Sequence, residues 1–132
     1  MDQLDDAVEW VRTHPSRFFK DGKFTLIDLA ANIVREALQY GVSSVEVVRY
    51  DGWIIVHSPD DWLAEKASTA FVRIVPFPEG GQNAMRMEVL ATAFAGQVMT
   101  KIDGRTENIT GPYVPSALEN YAERGRAVAF RA

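Results

Sequence analysis

Two Asp-Gly pairs do most to restrict how this chain can fold. Asp51-Gly52 separates "SVEVVRY" from "WIIVHS", and Asp103-Gly104 separates "QVMTKI" from "RTENIT". A two-residue turn between β-rich runs needs positive φ at both positions, and Asp-Gly supplies that at little steric cost. Each pair therefore predicts a β-hairpin. Pro59 ends the second strand of the first hairpin.

Helical periodicity fills the intervals. Asp2 to Thr13 places Leu4, Ala7, Val8 and Val11 at helical spacing, and Pro15 stops the run. "RFFKDGKF" reads as a connector with a turn at Asp21-Gly22. A long helix is expected from Leu26 to Tyr40, with Leu26, Leu29, Ile33, Ala37 and Tyr40 on one stripe. Thr25 followed by Asp28 is a capping-box variant at its start, and Gly41 is its stop. Residues 61–68 suggest a short helix, and "AFVRIVPF" a strand or extended segment bounded by Pro76 and Pro78. "QNAMRMEVLATAFA" reads as a second long helix with Met85, Val89, Ala93 and Phe94 inward, with a strand over "RMEVLATAF" as the alternative. "PYVP" is a rigid extended connector, leading to a short helix over 116–124 and a terminal strand over 126–131. The order α, ββ, α, ββ, α, β implies an α/β (α+β) fold. It is a two-layer sandwich with a mostly antiparallel or mixed sheet and helices on one face, in one domain spanning residues 1–132.

Composition excludes several function classes. At 47% hydrophobic and 24% charged, the chain has a globular composition. A net charge of −4 and no Lys/Arg run longer than two residues argue against a nucleic-acid surface. With no cysteine there is no disulfide, no thiolate nucleophile and no Cys-ligated metal, and two separated histidines give no zinc spacing. The acidic start "MDQLDDAVEW" is unlike a signal peptide, and no apolar run reaches membrane-spanning length. The expected location is the cytoplasm, without membrane association. His57 and Ser58 point to opposite faces of a strand, so they do not form a nucleophile pair. Asp60 and Asp61 read as a cap for a helical turn starting near Trp62. Trp10, Trp53 and Trp62 read as closing edges of the core, or as interface anchors.

Two stretches, "NIVREALQYGVSSVEVVRYDGWIIVHSPDD" and "EGGQNAMRMEVLATAFAGQVMTKIDGRTENITG", resemble the GHKL or Bergerat-fold ATPase domain. That domain is shared by DNA gyrase, the ninety-kilodalton heat-shock chaperone, the mismatch-repair protein MutL and sensor histidine kinases. The N-terminal stretch is similar to the family's N-box helix and the strands before its first glycine box. The C-terminal stretch is similar to the family's other glycine box, with the helix and hairpin beyond it.

The resemblance implies a nucleotide site, and the residues at its positions depart from the family. The N-box carries a Glu that activates water and, four residues later, an Asn that holds Mg²⁺. Here Asn32 and Glu36 stand in exchanged order. An amide is no general base, whereas a carboxylate at position 36 is a candidate Mg²⁺ ligand. Ser58 stands near the adenine-binding position, and Pro59, Asp60 and Asp61 replace the glycines after it. Gly80-Gly81 survives from the second glycine box, with Asn83 beside it, as a candidate phosphate turn. The candidate remnant site is thus Asn32, Glu36, Ser58, Gly80, Gly81 and Asn83, with Glu36 the candidate metal ligand and no catalytic residue. Polar residues on a helix flank are the plainer reading of Asn32 and Glu36.

The expectation is a degenerate, non-catalytic GHKL-like domain that binds a protein partner or itself as a homodimer, with no cofactor. One alternative is a divergent ATPase or kinase-like domain using Glu36 for Mg²⁺ and Gly80-Gly81 for phosphate. Another is a small α/β ligand-binding module unrelated to the family.

Overall fold

The computed structural model describes residues 3–111 and 123–132. The chain is an α+β protein with helices α1 (Gln3–Arg12), α2 (Leu26–Tyr40), α3 (Ala67–Ala70) and α4 (Glu88–Phe94). Its strands are β1 (Glu46–Tyr50), β2 (Trp53–Ser58), β3 (Gln97–Ile102), β4 (Arg105–Thr110) and β5 (Arg126–Arg131).

Both Asp-Gly turns are present as expected. Asp51 and Asp103 share a φ of 48°, and Gly52 and Gly104 share 83°. These are the mirror-image turns whose twist matches that of the flanking strands. Tyr50 pairs with Trp53 across the first turn, and Ile102 with Arg105 across the second. The two hairpins do not pair with each other. β5 lies between them, giving the fully antiparallel order β1-β2-β5-β3-β4.

The helix layer covers one face of this sheet: α2 packs on β2, α4 on β3, and α1 against α4. Alternate residues Ile54, Val56, Val98, Val128 and Phe130 join Leu29, Ile33, Trp62, Leu63, Phe71 and Leu90 in the main core. The other face is also buried, around Trp53, Ile55, Met99, Ala127 and Ala129. Burial on both faces explains why "WIIV", residues 53–56, is continuously apolar rather than alternating.

Helix α2 has the expected bounds. Thr25 Oγ1 accepts the Asp28 backbone N–H at 3.1 Å, and Gly41 closes the C-terminus with φ 113°. The second long helix is shorter than its periodicity suggests, because only Glu88–Phe94 is helical. Residues 81–87 instead fold back on 75–77: Phe77 N–H reaches Ala84 O at 2.9 Å and Arg86 N–H reaches Val75 O at 2.9 Å. Asn83, at φ 65°, interrupts any helix that would begin at Gln82. "AFVRIVPF" contributes a single bridge, Pro76 to Met85, and no strand. The short helix expected over 61–68 is displaced to a 3-10 turn at Ala64–Lys66 running into α3. The connector 112–115 and most of the expected helix over 116–124 lie outside the described residues, while the terminal strand is β5.

Candidate functional site

Asn32 and Glu36 lie one turn apart on α2, facing the folded-back segment before α4. With Gly80 they border a cavity of about 130 Å³, whose walls include Arg35, Gln39, Phe77 and Met87. The other candidates are elsewhere. Gly81 and Asn83 border a separate depression beyond Phe77 and Met85. Ser58 is fully buried on β2, its Oγ accepting the Asp60 N–H at 3.1 Å. The Gly-Gly turn does not open a helix; it closes a 3-10 turn. Gly80 N–H donates to Phe77 O and Gly81 N–H to Pro78 O, each at 3.0 Å. Gly80 is required by packing, since a Cβ there would stand 2.8 Å from the Phe77 ring.

Glu36 belongs to a buried network that also contains Trp62, Arg86 and Glu88. Its Oε1 accepts the Met87 N–H at 2.6 Å and its Oε2 accepts Arg86 Nη1 at 3.1 Å. Arg86 Nη1 also donates to the Trp62 carbonyl at 2.7 Å. The guanidinium carbon lies 4.8 Å from the centre of the Phe77 ring and 5.3 Å from that of Tyr40. Trp62 Nε1 donates to Glu88 Oε2 at 3.0 Å. The two carboxyl groups are neighbours, and Glu88 Oε1 finds no donor among the described residues, so only a proton held between the carboxyls can join them.

Two carboxylates and one arginine in a dry interior would leave an uncompensated negative charge. A single retained proton removes it. Burial pushes Glu36 up to about 9, reinforced by the charge of Glu88 and the hydrogen bond to it, against the opposing pull of Met87 N–H and Arg86. Glu88 is also raised by burial, offset by hydrogen bonds from Glu36 and Trp62. At neutral pH the Glu36–Glu88 pair therefore retains one proton, shared between its two carboxyl groups.

The acidic pair after Ser58 divides its work. Asp60 accepts both the N–H and the Oγ of Ser43 at 2.9 Å. Asp61 Oδ1 accepts the Leu63 N–H at 3.0 Å, a local turn and not the helix cap expected of the pair, because the 3-10 turn begins only at Ala64 and has no side-chain cap. It also receives Arg126 through two bonds of 2.8 and 3.1 Å. Burial alone would raise Asp61, but Arg126 and the backbone N–H groups of Ala64 and Leu63 hold it below the usual carboxylate range. His57 and Ser58 point to opposite faces, with His57 Nε2 2.9 Å from Arg124 O. Trp53 and Trp62 are buried, whereas Trp10 is 39% exposed and stacked on His14. Among the described residues no three His, Asp or Glu side chains are arranged to hold a metal ion, and no helix is long and apolar enough to cross a membrane.

A distinct feature lies on the outer flank of α2. Ile27, Ala31, Val34 and Leu38 form, with Val47 of edge strand β1, an open trough of about 600 Å³. Ile27 is 48% exposed, Leu38 53% and Val47 47%.

The residues missed at the sequence level are Arg86 and Glu88, and the signal for them was two charges inside the apolar run "MRMEVLATAF". The trough was likewise visible as α2 residues that are apolar beyond the inward stripe. No family model, curated protein or solved structure matches the chain.

Proposed function

We propose that this chain is a non-catalytic, GHKL-like module of the cytoplasm that works by binding protein, including itself, and does not turn over nucleotide. The observation carrying this reading is the state of Glu36. The side chain that would hold Mg²⁺ in a nucleotide site is 2% exposed and already engaged, its Oε1 by Met87 N–H and its Oε2 by Arg86, with the Glu88 carboxyl beside it. Mg²⁺ needs an accessible oxygen ligand, which this buried and fully occupied arrangement does not offer. The cavity beside it, at about 130 Å³, is smaller than the roughly 300 Å³ at which small-molecule sites begin. The N–H groups of Gly80 and Gly81, which a phosphate would need, are spent within their own turn. The apolar trough along α2 supports a role in protein binding, because contiguous exposed apolar surface of this kind marks interaction sites.

Thermal unfolding with ATP or ADP, each with and without Mg²⁺, tests the reading. A ligand at 100 times its dissociation constant would add about 2.7 kcal/mol, a readily measured rise in Tm. No shift is expected. A Mg²⁺-dependent shift abolished by Glu36→Ala would establish the nucleotide-binding alternative in its place.

A further inference from the structure

Helix α2 is apolar over more of its circumference than its own core uses. Leu29, Ala30, Ile33 and Ala37 are buried against the sheet and α4. Ile27, Ala31, Val34 and Leu38 succeed one another at spacings of four, three and four residues on the outer side. At about 100° per residue these four fall within an arc of roughly 60°. Such alternation of four and three is the seam along which two helices pack at about 20°. Asp28 and Arg35 border the seam on its polar side, one in the N-terminal half of the helix and one in the C-terminal half. Neither makes an ion pair among the described residues.

We propose that a second copy of this chain covers the seam, its α2 antiparallel to the first about a two-fold axis between Ala31 and Val34. This identifies the partner for the binding role proposed above, and it rests on that reading. Under such an axis Ile27 meets the partner's Leu38, and Ala31 meets the partner's Val34, the small alanine allowing close approach. The same operation sets Asp28 beside the partner's Arg35 and Arg35 beside the partner's Asp28. A two-fold interface must be complementary to itself. An acid and a base on one flank, seven residues apart, satisfy that requirement only when the helices run in opposite directions. A parallel copy would carry its charged flank to the opposite side of the seam, where neither Asp28 nor Arg35 meets its counterpart. Val47 of β1 closes the rim of the seam on its apolar side.

Sedimentation velocity on the full chain, from low micromolar to near-millimolar concentration, tests the assignment. The wild type is expected to dimerise reversibly. Val34→Glu buries a charge in the seam and raises the dissociation constant by about thirtyfold or more. Asp28→Arg alone and Arg35→Asp alone each weaken self-association, since each sets like charges against one another twice. Mixed in equal amounts, those two variants recover a heterodimer in which both contacts are attractive. Far-UV circular dichroism confirms that each variant is folded, and Leu38→Glu replaces any that is not. The proposal is overturned by a wild type that stays monomeric throughout, or by a dimer indifferent to Val34→Glu and to both reversals. A monomer that ignores nucleotide removes the dimer and leaves the non-catalytic reading standing. A dimer that binds Mg²⁺ and nucleotide removes that reading and leaves the seam.

Discussion

Replacing Glu36 by Gln fixes the charge of the buried network at the value the wild type reaches only by retaining a proton. Its single amide oxygen keeps one of the two acceptor roles, towards Arg86 or towards Met87 N–H, and the NH₂ that replaces the other oxygen only donates, a deficit that is the same at every pH. In the wild type the folded-state value is raised from 4.5 to about 9. Between those limits the native protein holds a proton that the unfolded chain has released. The stability from this site is therefore complete below the lower value and is lost as pH rises towards the upper one. One proton corresponds to about 1.4 kcal/mol per pH unit, so raising the pH from about 5.5 to about 8.5 removes at most about 4 kcal/mol. In a chain of this length, 1 kcal/mol is worth about 3–5 °C in Tm. In calorimetric melting across that range the wild type should lose stability with rising pH that Glu36→Gln does not lose. The difference between them should therefore move in the variant's favour by on the order of 10 °C from the acid end to the alkaline end. If the two melting curves instead stay parallel across the range, Glu36 is ionised in the native state and the shared-proton arrangement is refuted.

Two more substitutions probe the charges around this network. Arg86→Met keeps the packing on Phe77 and Tyr40 but removes the cation facing Glu36 and Glu88, and should cost about 3–5 kcal/mol in urea unfolding. Asp61→Asn leaves the buried guanidinium of Arg126 without its counter-charge, with one amide oxygen in place of two carboxylate oxygens beside Thr100 Oγ1, a loss of about 3 kcal/mol at neutral pH. Because Asp61 is held below its ordinary 3.8, its contribution is full above that value and disappears as pH falls through the lowered one. The difference between wild type and Asp61→Asn should accordingly narrow below about pH 3.8, measured by acid titration of the circular dichroism signal.

Local chemistry made the hairpins and α2 legible in the sequence. Asp51-Gly52 and Asp103-Gly104 require a turn conformation that few other pairs can adopt, and Thr25 and Gly41 delimit α2 by hydrogen bonds within a few residues. The region 75–95 was less legible, because what shortens α4 is tertiary. Met87 N–H is drawn to Glu36, fifty-one residues earlier, and Arg86 to the Trp62 carbonyl. No helical periodicity encodes that competition. Asn32 and Glu36 were correctly placed on adjacent turns of one helix, but the spacing of an Asn and a Glu is indifferent to what stands opposite them. Glu36 resembles a flank residue in sequence and is 2% exposed in the fold, because Arg86 arrives from elsewhere to accompany it. Ser58, Gly81 and Asn83 lay near the site along the chain and not in space, since β2 and the folded-back segment carry them away from the cavity.

The position of β5 gives this protein an order of assembly. Each hairpin can close as soon as its own residues are available, but the edges of β2 and β3 that face the middle of the sheet must wait for residues 126–131. During synthesis both hairpins therefore leave the ribosome with a Val- and Ile-bearing edge uncovered, and the halves of the sheet stay unjoined until β5 emerges. Exposed edges of that kind are where chains pair with the wrong neighbour. The six residues of β5 therefore act late as a zipper. Damage to that strand separates the sheet into two unconnected hairpins, whereas damage to β1 or β4 removes only a margin.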